Sequence, residues 1–541
     1  MSASADTVRM TTRGTEAGEA ALEGVGRPSW LLPLAAGSAV LVLIANLGGI
    51  AVGDDGVGYR AIADSILAGE GLGYFLDDPL TIWPPLWSAL MALVAWLTPL
   101  DTLGAAVVLN MATAVAVVYV GHGLLTRVLT DQRFVVLGTV VMGLGVSTIG
   151  FGHLLMTDLA FAVIVMIWLR CLMAFHDTLA RRWIVTTAVT VWVAFALRYV
   201  ALYLLALGCA WLMFDLRRRI SARFASAVLY GALGIVVPAL WMLRNHSING
   251  TLTGERTPSA RGPLGNAFDA LSTMGQWLLP GIADEAARLW AVVALLVLVA
   301  AAWLGFRILT IDERRDATDT PLRRVVTWIG SPSGLLAVQG FGYLAYMVYV
   351  RSSTALNRLE LRLLNPAYFS LVALALVLAS NLGRLDRAED TTWARRGYAA
   401  AVLWAVANVG VGVFATVSFA TGDPFFDGNY ESTVFREIRD DRVLDVVGDD
   451  CATYSNLPNA LYPRVEAQWS PRRTALESNA TTDDLDELVE AIGHEQSCLV
   501  WIDEPPRYGH LWTREQLSDR VELQELDRSG SVTVYRISPL R

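Results

Sequence analysis

Gly53-Asp54-Asp55-Gly56-Val57-Gly58-Tyr59-Arg60 comes directly after an apolar run at residues 30–52, and the segment it opens closes at Trp83-Pro84-Pro85, as the next apolar run begins. The first run is long enough to cross a bilayer, which takes about 20 residues of helix. Two adjacent carboxylates are therefore held at the edge of a membrane. Ionisable groups there are costly to desolvate, so they usually face a polar cavity and mark function rather than packing.

The same pattern repeats along all 541 residues. The chain is 54% hydrophobic and its mean hydropathy is +0.44. Apolar segments recur at residues 30–52, 81–99, 103–125, 134–151, 153–175, 183–197, 199–214, 224–243, 287–308, 334–351, 366–384 and 396–420. This composition describes a polytopic α-helical membrane protein with about 11–13 transmembrane helices. Runs of helical length, rather than alternating segments of about 10 residues, argue against an outer-membrane barrel. Residues 1–28 are polar, carry both signs of charge and show no small-residue cleavage site, so a cytoplasmic tail is expected there rather than a cleaved signal peptide.

Arginines set the orientation. Arg181-Arg182, Arg217-Arg218-Arg219, Arg314-Arg315 with Arg323-Arg324, and Arg384 with Arg395-Arg396 fall in alternate loops, which should be cytoplasmic. The outer face then receives an acidic loop at 53–80, Asp158, Arg198, a long loop at 244–285, the stretch 351–365 and the whole of 421–541. A tail on the side opposite the N-terminus requires an odd number of crossings, whereas twelve segments are counted. An interfacial or re-entrant segment between 81 and 151 reconciles the two. Three units follow: the tail 1–28, a transmembrane domain 29–420 and a C-terminal extracytoplasmic domain 421–541.

From residue 421 onward 24 acids face 12 arginines, so the acidic excess lies in the tail and nucleic acid is not an expected partner. Strand-like runs at 452–454, 499–502 and 532–537 alternate there with a polar helical stretch at 482–493, the rhythm of a small α/β domain. Cys451 and Cys498 lie in this tail, where an oxidising compartment would permit a disulfide. Cys171 and Cys209 lie in apolar runs and are read as small buried hydrophobes.

Within the first outer loop, Tyr59, Ile62, Ala63, Ile66 and Leu67 recur at helical spacing, so residues 58–68 are expected to form a short amphipathic helix on the membrane surface. Gly69, Gly71 and Gly73 break it. Asp54 and Asp55 either cap this helix or act as a general base or metal ligands. Asp158, at the outer end of another span, presents a further acid to the same face. Arg198 interrupts two apolar runs at a tight outer turn, where neither solubility nor loop length calls for a charge. Arg244, Arg256 and Arg261 lie beside Gly- and hydroxyl-rich backbone suited to a phosphate, although interfacial arginines also pair with membrane lipid headgroups. Arg358-Leu359-Glu360-Leu361-Arg362, before Asn365-Pro366, could equally anchor a helix end.

The order of these pieces resembles the GT-C glycosyltransferases, and within them the branch of the protein O-mannosyltransferases and the lipid A aminoarabinose transferase. The likeness is carried by the Asp54-Asp55-Gly56 loop with Tyr59 and Pro84-Pro85, by Asp158, Arg198 and the segment 241–256, by Leu361-Arg362-Leu363-Leu364-Asn365-Pro366, and by Tyr454-Ser455-Asn456-Leu457-Pro458 in the tail, with Leu461-Tyr462 beyond. Such enzymes move a sugar from a polyprenyl-phosphate carrier to an acceptor on the outer face: a protein, a glycolipid or a cell-wall glycan. The resemblance implies that Asp55, or its neighbour Asp54, activates the acceptor hydroxyl, with Asp158 as the second acid. It makes Arg256, Arg261 and Arg362 the phosphate contacts, with Tyr59 and Arg198 also lining the substrate site. Some relatives have a basic residue before Pro-Pro where this chain has Trp83, which could instead stack on the sugar or lipid.

Metal dependence stays open, because Asp55 and Asp158 could serve a divalent ion or act without one. The competing reading is a multi-span transporter or lipid flippase, for which intramembrane charges are also expected. Against it, the two halves show no internal repeat, and a large asymmetric outer domain fits an enzyme better.

Overall fold

The computed structural model describes residues 28–74, 78–254, 256–278, 286–311, 321–386, 391–422, 429–448, 451–474, 481, 484–492, 496–503 and 509–540. The N-terminal tail, Glu255 and residues 279–285 of the long loop lie outside them.

Each of the twelve apolar segments contains a helix. Among the described residues eight helices are long and apolar enough to span a bilayer: Thr102–Val128, Gln132–Gly152, Asp158–Thr178, Ile220–Asn249, Ala287–Thr310, Pro332–Ser353, Leu361–Leu385 and Thr392–Ala420. Leu31–Ala45, Leu86–Leu97 and Tyr199–Met213 are apolar but shorter. At 1.5 Å per residue the 12 residues of Leu86–Leu97 reach only about 18 Å, well short of a hydrocarbon core of about 30 Å. This short helix lies in the stretch where the count of crossings was uneven.

Asp158–Thr178 is the axis of the bundle, with Trp168, Leu169 and Leu172 fully buried among its neighbours. Ile220–Asn249 and Ala287–Thr310 lie at the periphery, where Leu240, Leu243, Leu296 and Val299 present the apolar surface that lipid would cover. Gln132–Gly152 is interrupted at Gly145, whose backbone is extended. The break lets Thr392–Ala420 pack closely: a Cβ at Gly412 would run into the Leu144 carbonyl oxygen and the Gly145 backbone.

Two parts of the long loop differ from expectation. Residues up to Asn249 continue the preceding helix, and Pro263–Leu278 forms a helix of its own. Its buried face is small and polar (Asn266, Asp269, Ser272, Thr273), so it gave no apolar signal in sequence.

The C-terminal domain is a five-stranded mixed sheet in the order β2-β1-β3-β5-β4, formed by β1 (Ala452–Ser455), β2 (Gln468–Trp469), β3 (Ser497–Ile502), β4 (Val521–Ser529) and β5 (Val532–Pro539). β1 runs parallel to β2 and β3, and β5 pairs antiparallel with β3 and β4. A disulfide joins Cys451, just before β1, to Cys498 in β3. Side-chain alternation gives the sheet two faces. Leu499, Tyr535 and Ile537 pack on Leu485 and Leu488 of the helix Asp484–Ala491. Val500, Ile502, Val532 and Val534 face the other way and join the core that runs on into the membrane bundle. β4 escaped the sequence reading because it is a charge-rich edge strand, a composition that discourages pairing with other chains.

Gly412→Val should force the helices apart at Gly145 and cost about 1–3 kcal/mol. A lowered thermal midpoint of the detergent-solubilised protein is the expected result; an unchanged midpoint would contradict this packing.

Candidate active site

The acidic helix starts earlier than its apolar periodicity indicates. It spans Asp54–Ala68, with Gly53 as N-cap and both aspartates in the first turn, where negative charge is favoured by the helix dipole. Its entry is pinned from two sides. The Ala51 N–H donates to the His153 carbonyl (2.9 Å), and the Ala51 carbonyl accepts from the Leu155 N–H (2.9 Å). On the other side, the Val52 N–H donates to Asn429 Oδ1 (3.0 Å), and the Val52 carbonyl accepts from the Tyr430 N–H (2.8 Å). Glycines inside the helix reflect close approach: a Cβ at Gly56 would lie 3.0 Å from the Leu155 carbonyl oxygen, and one at Gly58 would strike the Trp83 ring.

This pinning sets the aspartates beside the start of Asp158–Thr178. Asp55 Oδ2 pairs with Arg362 Nη1 at 3.1 Å. Asp158 is 1% exposed, and its Oδ1 pairs with Arg198 Nη1 at 2.5 Å. Asp158 Oδ2 is buried without a partner, as is Arg362 Nε. Arg198 reaches this position because it is the extended residue between two helices, Arg181–Leu197 and the turn that begins at Tyr199. Arg362, on the first turn of Leu361–Leu385, also points a guanidinium nitrogen at Met156 Sδ (3.6 Å). Two carboxylates and two guanidinium groups thus share one mouth.

Tyr59 is buried beside them. Its phenol pKa is pushed up to about 12, chiefly by burial; the Arg198 guanidinium opposes the rise and the carboxylates of Asp55 and Asp158 add to it. It stays protonated at neutral pH and can donate. Trp83 lies over this end of the helix, with ring centroids 5.6 Å from Tyr59 and 5.4 Å from Tyr74. Burial also raises the Tyr74 phenol, followed by the fields of Asp55 and Asp54.

The remaining arginines separate into different roles. Arg256 is exposed as a residue and donates to the Thr253 carbonyl at 2.7 Å, while partial burial of its guanidinium lowers its pKa against the opposing fields of the Tyr199 phenol and Asp55. Arg244 lies over the Trp241 ring, 4.6 Å from its centroid, and donates to the Leu80 carbonyl at 2.5 Å. Asn245 donates to the carbonyls of Thr81 and Leu252 and to the Tyr199 hydroxyl. These two residues therefore fix the strand of loop that carries Trp83. Arg261 does not join the acids at the mouth: it pairs with Asp269 at 2.9 Å, an oxygen it shares with Arg358 at 3.3 Å.

Residues from the C-terminal domain, absent from the sequence-derived site, complete this neighbourhood. Asp54 Oδ1 accepts from the Tyr430 hydroxyl (2.7 Å) and Asn459 Nδ2 (2.8 Å). Arg60 pairs with Glu431 at 3.0 Å, which pairs in turn with Arg439 at 2.9 Å. Asp64 accepts from the hydroxyls of Tyr462 (2.7 Å) and Thr102 (2.8 Å). The sequence clues were the segment 454–458, directly before Asn459, and Leu461-Tyr462 beyond it, whose Tyr462 is the residue that meets Asp64.

Among the described residues no group of three His, Cys, Asp or Glu side chains is placed to hold a metal ion. Asp55 and Asp158 each face a guanidinium, an arrangement that competes with a cation rather than inviting one.

The apolar helical bundle with its small C-terminal mixed sheet has the fold of the GT-C glycosyltransferases. ArnT from Cupriavidus metallidurans, whose structures include an apo state and a complex with undecaprenyl phosphate, is similar over 94% of this chain and 97–98% of its own, at a TM-score of 0.56 and 13% identity. The archaeal oligosaccharyltransferase AglB from Archaeoglobus fulgidus, solved with an inhibitory peptide and a dolichol-phosphate, is similar over 94% of this chain and 74% of its own, at a TM-score of 0.54 and 10% identity. No family model and no curated protein matches the sequence. At such identities the likeness is one of fold.

Arg198→Met leaves the Asp158 carboxylate buried and unpaired, which should cost about 3–5 kcal/mol. Adding Asp158→Asn should recover much of that loss in thermal or denaturant unfolding. Additive losses would show that the two side chains act independently.

Proposed function

We propose that this protein is a membrane glycosyltransferase that takes a sugar from a polyprenyl-phosphate donor and passes it to a hydroxyl acceptor at the outer face, with Asp55 as general base. The observation that carries this reading is the pair of carboxylate–guanidinium contacts, Asp55–Arg362 and Asp158–Arg198, gathered at one mouth of an apolar bundle. A lipid-linked phosphate needs an apolar flank for its chain and fixed positive charge for its head. The fold-level likeness to a protein solved with undecaprenyl phosphate agrees with such a donor.

In the proposed step the acceptor O–H gives its proton to Asp55 as its oxygen forms a bond to the anomeric carbon. The bond from that carbon to the phosphate oxygen breaks, and its electron pair leaves on the polyprenyl phosphate. One base and no proton donor suffice, because the phosphate is stabilised as an anion by positive charge rather than by protonation. Arg362 and Arg256 supply that charge. Asp158 holds Arg198 in place, and Tyr59 and Trp83 flank the sugar. No metal enters the step, since both acids are matched by arginines.

The disulfide Cys451–Cys498 supports an extracytoplasmic C-terminal domain, because such bonds persist in oxidising compartments. The mouth would then open on the same side, because that domain contacts Asp54, Arg60 and Asp64.

Purified protein incubated with a panel of polyprenyl-phosphate sugars and candidate acceptors should release free polyprenyl phosphate and a glycosylated product by mass analysis. Movement of the lipid without bond cleavage would favour a flippase. Asp55→Asn and Asp158→Asn should each reduce transfer at least about 100-fold, and full activity in both would sink the assignment. A divalent-metal chelator should leave the rate unchanged within about twofold, whereas a metal-dependent loss would return Asp55 and Asp158 to the role of ligands.

A further inference from the structure

We propose that Tyr430 and Asn459 of the C-terminal domain are positioning residues for the transfer reaction: by binding Asp54 they assign it to holding the first turn of its helix and leave Asp55 as the reacting carboxylate. This rests on the transferase reading above.

Adjacent aspartates on a helix point in directions about 100° apart, so one can face the mouth while the other faces the docked domain. Asp55 turns toward Arg362, and Asp54 toward Tyr430 and Asn459. Both donors come from rigid surroundings. Tyr430 is buried, and its backbone is gripped at both groups: its N–H donates to the Val52 carbonyl, and its own carbonyl accepts from Arg439 Nη1 at 2.7 Å.

Asn459 is set by the end of β1. Asn456 takes the place of a strand neighbour for Ile502, donating to its carbonyl (2.8 Å) and accepting from its N–H (2.9 Å). Ser455 Oγ accepts from the Leu457 N–H at 3.0 Å. The Pro-started turn Pro458–Leu461 follows, buried throughout, and presents Asn459 to Asp54. Two donors on one oxygen leave Asp54 little freedom to rotate toward an acceptor. They also fix the peptide that carries Asp55, which matters because a misplacement of about 1 Å in a reacting group can cost 100-fold in rate.

Tyr430→Phe keeps the ring and removes only the donor; Asn459→Leu removes the other. Each should lower kcat about 10-fold, and the pair about 100-fold, with KM for the donor unchanged within about twofold. Asp54→Asn, whose amide oxygen still accepts from both, should lose no more than about 10-fold, whereas Asp54→Ala should match the double variant. In the Asp54→Ala background, Tyr430→Phe should add less than about twofold, as groups acting through one contact do. Amide hydrogen exchange at residues 53–60 should quicken in Tyr430→Phe, and this readout needs no substrate. Unchanged kcat and exchange in Tyr430→Phe, or an Asp54→Asn as inactive as Asp55→Asn, would overturn the inference. Faster exchange in a protein whose wild type cleaves no polyprenyl-phosphate sugar would instead retire the transferase reading and leave the positioning contact standing.

Discussion

Four hydrogen bonds made by the peptide groups of Ala51 and Val52, three to backbone and one to the Asn429 side chain, govern how the acidic helix is set. Ala51 exchanges both of its peptide groups with the segment His153–Leu155, and Val52 exchanges both of its own with Asn429 and Tyr430. This two-residue stretch therefore joins the first helix of the bundle, the helix that begins at Asp158 and the C-terminal domain. A peptide group at a membrane edge costs heavily if left unpaired, so the arrangement is enforced by desolvation as much as by geometry. Everything that meets at the mouth does so because the acidic helix begins from this fixed point.

Charge at the mouth obeys a simple balance. Asp158 is buried so completely that it is tolerable only beside Arg198, and the pair leaves one carboxylate oxygen unsatisfied. A buried polar atom without a partner is rare in folded proteins and calls for an explanation. Here it coincides with an unpartnered guanidinium nitrogen on Arg362, so the site is held short of full satisfaction on both signs of charge.

Much of this was legible in sequence because the bilayer imposes a coarse, long-range pattern: twelve apolar runs gave twelve helix-containing segments. The acids and arginines at span ends were also readable, since a charge has no packing reason to be there, and Asp55, Asp158, Arg198 and Arg362 do converge. What escaped was set by contacts distant in the chain. Nothing local to Asp54 announces that Tyr430 and Asn459, 376 and 405 residues away, will occupy its oxygen. The onset of the helix at Asp54 was hidden by Gly56 and Gly58, poor helix formers that are present because Leu155 and Trp83 come too close for a side chain. Arg261 pairs with Asp269 of the helix Pro263–Leu278, an acid whose burial no periodicity foretold.

The C-terminal domain is consequently more than an appendage on a membrane bundle. One face of its sheet is continuous with the bundle core, and its polar residues satisfy three successive turns of the acidic helix, at Asp54, Arg60 and Asp64. Without it, the Val52 peptide groups would have no protein partner and the amphipathic helix would be held on one side only. The helix buries Val57, Tyr59, Ala61, Ile62 and Ala63 against the bundle, and its polar side, Asp54, Arg60 and Asp64, is held by the C-terminal domain. The direction of the first turn of this helix is set by the C-terminal domain, which itself takes its bearings from the stretch of backbone where the helix begins.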